Sequence, residues 1–117
     1  MSLAGEIVTY ILAAAFLSAE AAKFLGAKMV VESLDRLGIS KRLRWGLGGC
    51  EVAGAVLLLI PSLTFVGAIG LVVLMVGAAG QHMRIRDYAG ALPALALLAL
   101  CLWVVVESLP AFIAFVS

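Results

Sequence analysis

Four apolar runs, each near the length that crosses a bilayer, leave this chain little choice but a bundle of membrane helices. A spanning helix needs about 20 mostly apolar residues, within a range of about 17–25. The runs Ile7–Leu25, Leu43–Ile60, Leu63–Gln81 and Leu92–Leu109 meet or approach that length. The second stops at Pro61 and the fourth ends before Pro110. Pro93 fits the first turn of the fourth helix, where a missing N–H costs nothing. The last residues, Ala111–Ser117, either continue helix 4 past a proline kink or fold back at the interface. Composition supports the class: 65% of the 117 residues are hydrophobic and 13% charged, against roughly 45–50% and ~25% in soluble domains. A soluble domain of this size has too little interior to hide that apolar surface. The expected fold is all-α, an integral membrane four-helix bundle forming one domain over residues 1–117.

Several function classes are disfavoured at once. A net charge of +1 gives no basic field for nucleic acid. Cys50 and Cys101 lack C-x-x-C spacing and sit in apolar runs, where cysteine behaves as a small hydrophobe. There is one histidine, no zinc spacing, no Walker-type loop and no G-x-S-x-G. No metal and no cofactor are therefore expected. The first apolar run is preceded by Glu6 and by no Lys or Arg, unlike a cleavable signal peptide, so helix 1 is expected to remain a span.

The basic residues set an orientation. Lys23, Lys28, Arg36, Lys41, Arg42 and Arg44 surround the first connection, and Arg84 and Arg86 lie in the third. The N-terminal segment, the Pro61 turn and the C-terminal tail carry none. Four spans put both basic connections on one side. The positive-inside rule then predicts a multi-pass protein of the cell inner (plasma) membrane, with both termini outside the cytoplasm. In the first connection, Val30, Leu34 and Leu37 recur at helical spacing. They predict an amphipathic interfacial helix between spans 1 and 2. Gly38 fits its stop, and Ser40 fits an N-cap for helix 2. Small residues at Gly46, Cys50 and Gly54, and at Gly70 and Gly77, predict close helix packing.

Polar residues interrupt the apolar runs near the cytoplasmic ends. Helix 1 carries Glu20 and Lys23, helix 2 carries Glu51, and helix 3 carries Gln81 and His82. The topology predicts one level for them, with Glu20 and Glu51 as the floor and Lys23 and His82 nearer the cytoplasm. Glu20 and Lys23 are three apart and share a helix face. Charges inside a span are costly and mark functional sites by default. Burial raises a carboxyl pKa and a neighbouring ammonium lowers it, so such a cluster divides into acid and base. Phe16, Phe24, Gly54, Met75, Ala78 and Gln81 are the expected ligand-binding surroundings, apolar enough for a small lipophilic molecule. A purely structural alternative pairs Glu20 with Lys23 and Glu51 with His82 to dock the helices. Glu107 reads as interfacial, and Arg84, Arg86 and Asp87 as a solvated loop. Tyr10, Trp45, Tyr88 and Trp103 include candidate interfacial anchors.

The stretches FLSAEAAKFLG, ESLDRLGIS, GLGGCEVAGAVLLLIP and GAAGQHMRIRD resemble the DoxX-like family of small four-span membrane proteins. The resemblance covers nearly the whole chain. It rests on a helix 1 lysine, a helix 2 glutamate and a helix 3 histidine, here Lys23, Glu51 and His82. It implies a link to thiosulfate oxidation and quinone reduction for the family's namesake, and membrane oxidoreductase assemblies for some members. Broader similarity implies kinship with four-span folds that bind or isomerise sterols and related lipophiles.

Three functions follow as expectations. The first is a cofactor-independent membrane hydrolase or isomerase, or a binding protein, for a small lipophile. There Glu51 is the base, His82 or Lys23 the acid, and Glu20 tunes Lys23; epoxide opening or double-bond isomerisation suits such groups. The second is an accessory, quinone-associated subunit with a redox partner protein. The third is a small proton-coupled transporter. The bilayer is a partner in each case, and a homo-oligomer is open.

Overall fold

A computed structural model of the chain describes residues 2–24, 38 and 41–117. Among the described residues four helices form: α1 (Leu3–Phe24), α2 (Lys41–Leu58), α3 (Thr64–Arg84) and α4 (Tyr88–Val116). The expected interfacial helix, with Val30, Leu34 and Leu37, and the expected cap at Ser40 lie outside the described residues. Gly38 has φ of +75°, in the left-handed region that glycine enters without steric cost.

Local chemistry moves several helix ends away from where hydropathy places them. α1 begins at Leu3 because the Ser2 hydroxyl accepts the Gly5 N–H at 3.0 Å, as an N-cap does. α4 begins at Tyr88 because Asp87 caps it, its Oδ1 accepting the Gly90 N–H at 3.1 Å. Pro93 therefore lies in the helix interior and not in its first turn. The helix also runs through Pro110 to Val116, which decides the fate of the C-terminal residues. Phe112, beyond that proline, stacks on Phe65 of α3, with ring centroids 4.9 Å apart. Membrane helices tolerate proline where neighbours hold the chain.

The helices form a ring in which α1 packs on α2 and α4, and α3 packs on α2 and α4. Each buries one stripe at helical spacing. In α1 the stripe is Gly5, Thr9, Leu12, Ala13, Phe16 and Glu20; in α2 it is Gly48, Glu51, Gly54, Ala55 and Leu58. Leu71 and Met75 of α3 and Cys101 and Val104 of α4 complete the core. Short turns make α2, α3 and α4 antiparallel in succession. The Ser2 hydroxyl donates to Glu107 Oε1 at 2.7 Å, which sets the start of α1 beside the last part of α4. One end of the bundle thus collects the end of α1, the start of α2, the α3–α4 turn and every basic residue of the described helices. This is the basic end of the bundle.

Among the described residues, three helices carry stretches long and apolar enough to cross a membrane: Leu3–Ala21, Thr64–Arg84 and Tyr88–Val116. The apolar part of α2 is shorter, Trp45–Leu58, or about 20 Å against a hydrocarbon core of about 30 Å. Its first turn is taken by Lys41, Arg42 and Arg44, and the Pro61 turn closes the other end. The outer surface is apolar: Leu3, Val73 and Val106 are all at least 66% exposed.

At the Pro61 turn, Thr64 Oγ1 lies 2.9 Å from the Leu58 carbonyl oxygen and 3.1 Å from that of Ile60. Its hydroxyl donates to carbonyls that the end of α2 leaves without helical partners. Thr64 is 2% exposed, so no water replaces it. Thr64→Val should cost about 1–2 kcal/mol in a denaturant titration in detergent, while Thr64→Ser should recover most of that.

Candidate functional site

Both intramembrane carboxylates lie on inward stripes. Glu20 follows Phe16 by four residues in α1 and is 1% exposed. Glu51 stands between Gly48 and Gly54 on the buried face of α2 and is 7% exposed. Each has an interaction partner. Lys23 and Phe24 belong to the last turn of α1, and their side chains lie outside the described set. Phe16 and Met75 are buried, Gly54 is enclosed, and Ala78 and Gln81 are partly buried. Gln81 Oε1 is shielded from solvent and has no hydrogen-bond partner among the described residues.

Gly54 and Gly67 mark where α2 crosses α3. A Cβ on Gly54 would meet the Leu71 side chain at 2.9 Å, and one on Gly67 would meet Gly54 O at 2.7 Å. Counting from that crossing, Glu51 is level with about Leu74, beside Met75. His82 lies two turns nearer the basic end, about 12 Å away along the axis. Glu20 and Glu51 thus sit on the buried stripes of α1 and α2, two helices that pack on each other.

His82 has a different partner, Asp87. Its Nδ1 is 3.0 Å from Asp87 Oδ2, and the two side chains are 16% and 22% exposed. The backbone explains why they meet. Asp87 N donates to His82 O at 2.8 Å, and Arg86 N donates to Met83 O at 3.0 Å. Arg86 between them has φ of +59°. This is the Schellman pattern of helix termination, a left-handed residue with nested 6→1 and 5→2 bonds. In that motif the side chains two beyond the cap and three before the end come together, and here they are Asp87 and His82. Hydropathy alone reads Asp87 as solvated loop. The overlooked signal is an N-cap aspartate with a glycine at its third position, Asp87-Tyr88-Ala89-Gly90. The left-handed position holds arginine and not the glycine that would have announced the turn.

The glycine rows divide as well. Gly54 and Gly67 form the α2–α3 crossing, but a Cβ on Gly46, Gly70 or Gly77 would meet nothing within 4 Å. Cys50 is exposed. Four-residue spacing falls 40° further round a 3.6-residue helix at every repeat, so Gly46 and Cys50 rotate off the face that Gly54 occupies.

Comparison with known proteins places this arrangement. A family model described as the DoxX-like family matches residues 7–104. The chain belongs to the DoxX-like family. The match runs from the first third of α1 to the last half of α4 and takes in Glu20, Glu51, His82 and Asp87, while Ser2 and Glu107 fall outside it. No curated protein and no solved structure matches. With three membrane-length apolar helices and an apolar exterior, this DoxX-like chain is a membrane protein whose surroundings are a lipid bilayer.

Proposed function

We propose that this DoxX-like protein binds a small lipophilic molecule among its helices and acts on it by acid–base chemistry. Glu51 is the deep base, His82 and Lys23 are proton donors and acceptors at the basic end, and Glu20 tunes that end. Gly54, Met75 and Ala78 flank Glu51, while Phe16, Phe24 and Gln81 extend the surroundings towards the basic end. Epoxide opening or double-bond isomerisation is the reaction class, since either needs positioned proton donors and acceptors and no cofactor. The observation that carries the reading is the burial of Glu20 and Glu51 on the inward stripes of two helices. Buried intramembrane carboxylates are costly to hold and mark functional sites by default.

The membrane is the inner (plasma) membrane, with the basic end in the cytoplasm and both termini outside. Trp45 and Tyr88, both exposed at the basic end, suit the headgroup level there.

Mass spectrometry of small molecules retained by the protein purified from native membranes tests the reading, comparing wild type with Glu51→Gln. The expected result is one defined lipophile retained by one form and lost from, or chemically altered in, the other. A retained quinone, together with a co-purifying electron carrier, would favour an accessory redox subunit instead. Bulk lipid alone in both preparations would overturn the ligand.

A further inference from the structure

We infer that Asp87 is a positioning residue for His82. It holds the neutral imidazole as the Nδ1–H tautomer and leaves Nε2 as the proton acceptor of the basic end. The inference deepens the acid–base reading above and rests on it for its functional meaning.

The argument is geometric. Asp87 Oδ1 accepts the Gly90 N–H of the first turn of α4 at 3.1 Å, and Oδ2 lies 3.0 Å from His82 Nδ1. The Asp87 backbone N–H is itself bound to His82 O at 2.8 Å. The carboxylate is thus tied at its backbone and at both oxygens, and it cannot rotate away from the ring. It also stands at the N-terminus of a 29-residue helix, whose dipole favours the anion. An ionised carboxylate only accepts hydrogen bonds, so the shared proton belongs to Nδ1. In the neutral ring the lone pair is then on Nε2. Carboxylates orient imidazole bases in this way, holding tautomer and plane without taking up the proton themselves.

Gly90 fits the same purpose. A Cβ there would overlap Asp87 Oδ2 and approach His82 Nδ1 to 2.6 Å, so only glycine leaves room for both groups over the first turn of α4. Structure alone does not require the arrangement, because an apolar pair closes a Schellman turn equally well.

Histidine occurs once in this chain, so a full-length sample labelled with ¹⁵N-histidine gives one pair of ring resonances. At mildly alkaline pH the wild type is expected to show a protonated Nδ1 and a bare Nε2. Asp87→Asn keeps a capping side chain but offers an amide that can donate to the ring, and it should lose the preference for Nδ1–H. Asp87→Ser also caps the helix but lacks a carboxylate, and it provides the same test if the asparagine variant does not fold. A wild-type Nε2–H tautomer, a ring protonated at both nitrogens, or an unchanged pattern in a folded Asp87 variant would each overturn the inference. The spectrum reads the tautomer whether or not a lipophile is bound. Loss of the ligand proposal with the Nδ1–H tautomer intact would therefore refute the function and leave the role of Asp87 standing.

Discussion

Gly67→Val should separate α2 from α3 and cost the bundle about 3 kcal/mol or more, at the top of the range for overpacked interiors. A Cβ at Gly67 would lie 2.7 Å from Gly54 O and 2.9 Å from both Leu58 N and Leu57 Cβ. Two of those three atoms are backbone, so relief requires moving a whole helix. The reciprocal position is milder. A Cβ at Gly54 meets only Leu71 side-chain atoms below 3 Å, and a leucine can change rotamer. Gly54→Ala should therefore cost less than Gly67→Ala. Gly70 and Gly77 on the same helix are the controls, since a Cβ at either meets nothing within 4 Å. Replacing them with alanine should gain about 0.5–1 kcal/mol, the usual benefit of removing glycine from a helix interior. Denaturant titration of the variants in one detergent gives the ranking. Equal losses at Gly67 and Gly70 would mean that the helices do not cross at Gly54 and Gly67.

The same glycines show what sequence can and cannot say about this fold. Four helices were readable because apolar runs of nearly bilayer length have few other solutions, and the DoxX-like resemblance followed their order. The inward faces of α1 and α2 were readable in part, since Glu20 and Glu51 fall at helical spacing from Phe16 and Gly54. Which glycines pack was not readable, because spacing four or seven names a face without saying where that face points. The start of α4 was missed for a different reason. Hydropathy registers the apolar stretch from Leu92 onward, whereas the helix is begun by one side-chain hydrogen bond from Gly90 N–H to Asp87. The His82–Asp87 contact depends on Arg86 taking a left-handed conformation, which arginine does not signal.

Glu51→Leu is expected to abolish the retained lipophile and its turnover while leaving the bundle as stable as the wild type, or more stable. Glu51 occupies a stripe whose other members are Gly48, Gly54, Ala55 and Leu58, so leucine suits the surroundings. A carboxylate in that stripe is costly to desolvate. Replacing buried charged groups with well-packed apolar ones is often neutral or stabilising by about 1–4 kcal/mol. A group held for chemistry should show that signature, because its burial serves the reaction and not the packing. Glu51→Gln, close to isosteric, should lose about 10²–10⁴ in turnover if the carboxylate moves the proton, with little change in melting. The docking alternative predicts the opposite sign. If Glu51 joins helices through its partner, removing it leaves that partner buried without its counterpart, and stability falls by about 3–5 kcal/mol. Denaturant titration of both variants, alongside mass spectrometry of what each retains, separates the two. A destabilised Glu51→Leu that still holds the lipophile would assign Glu51 to docking, whereas a stable variant that has lost it would assign Glu51 to the reaction.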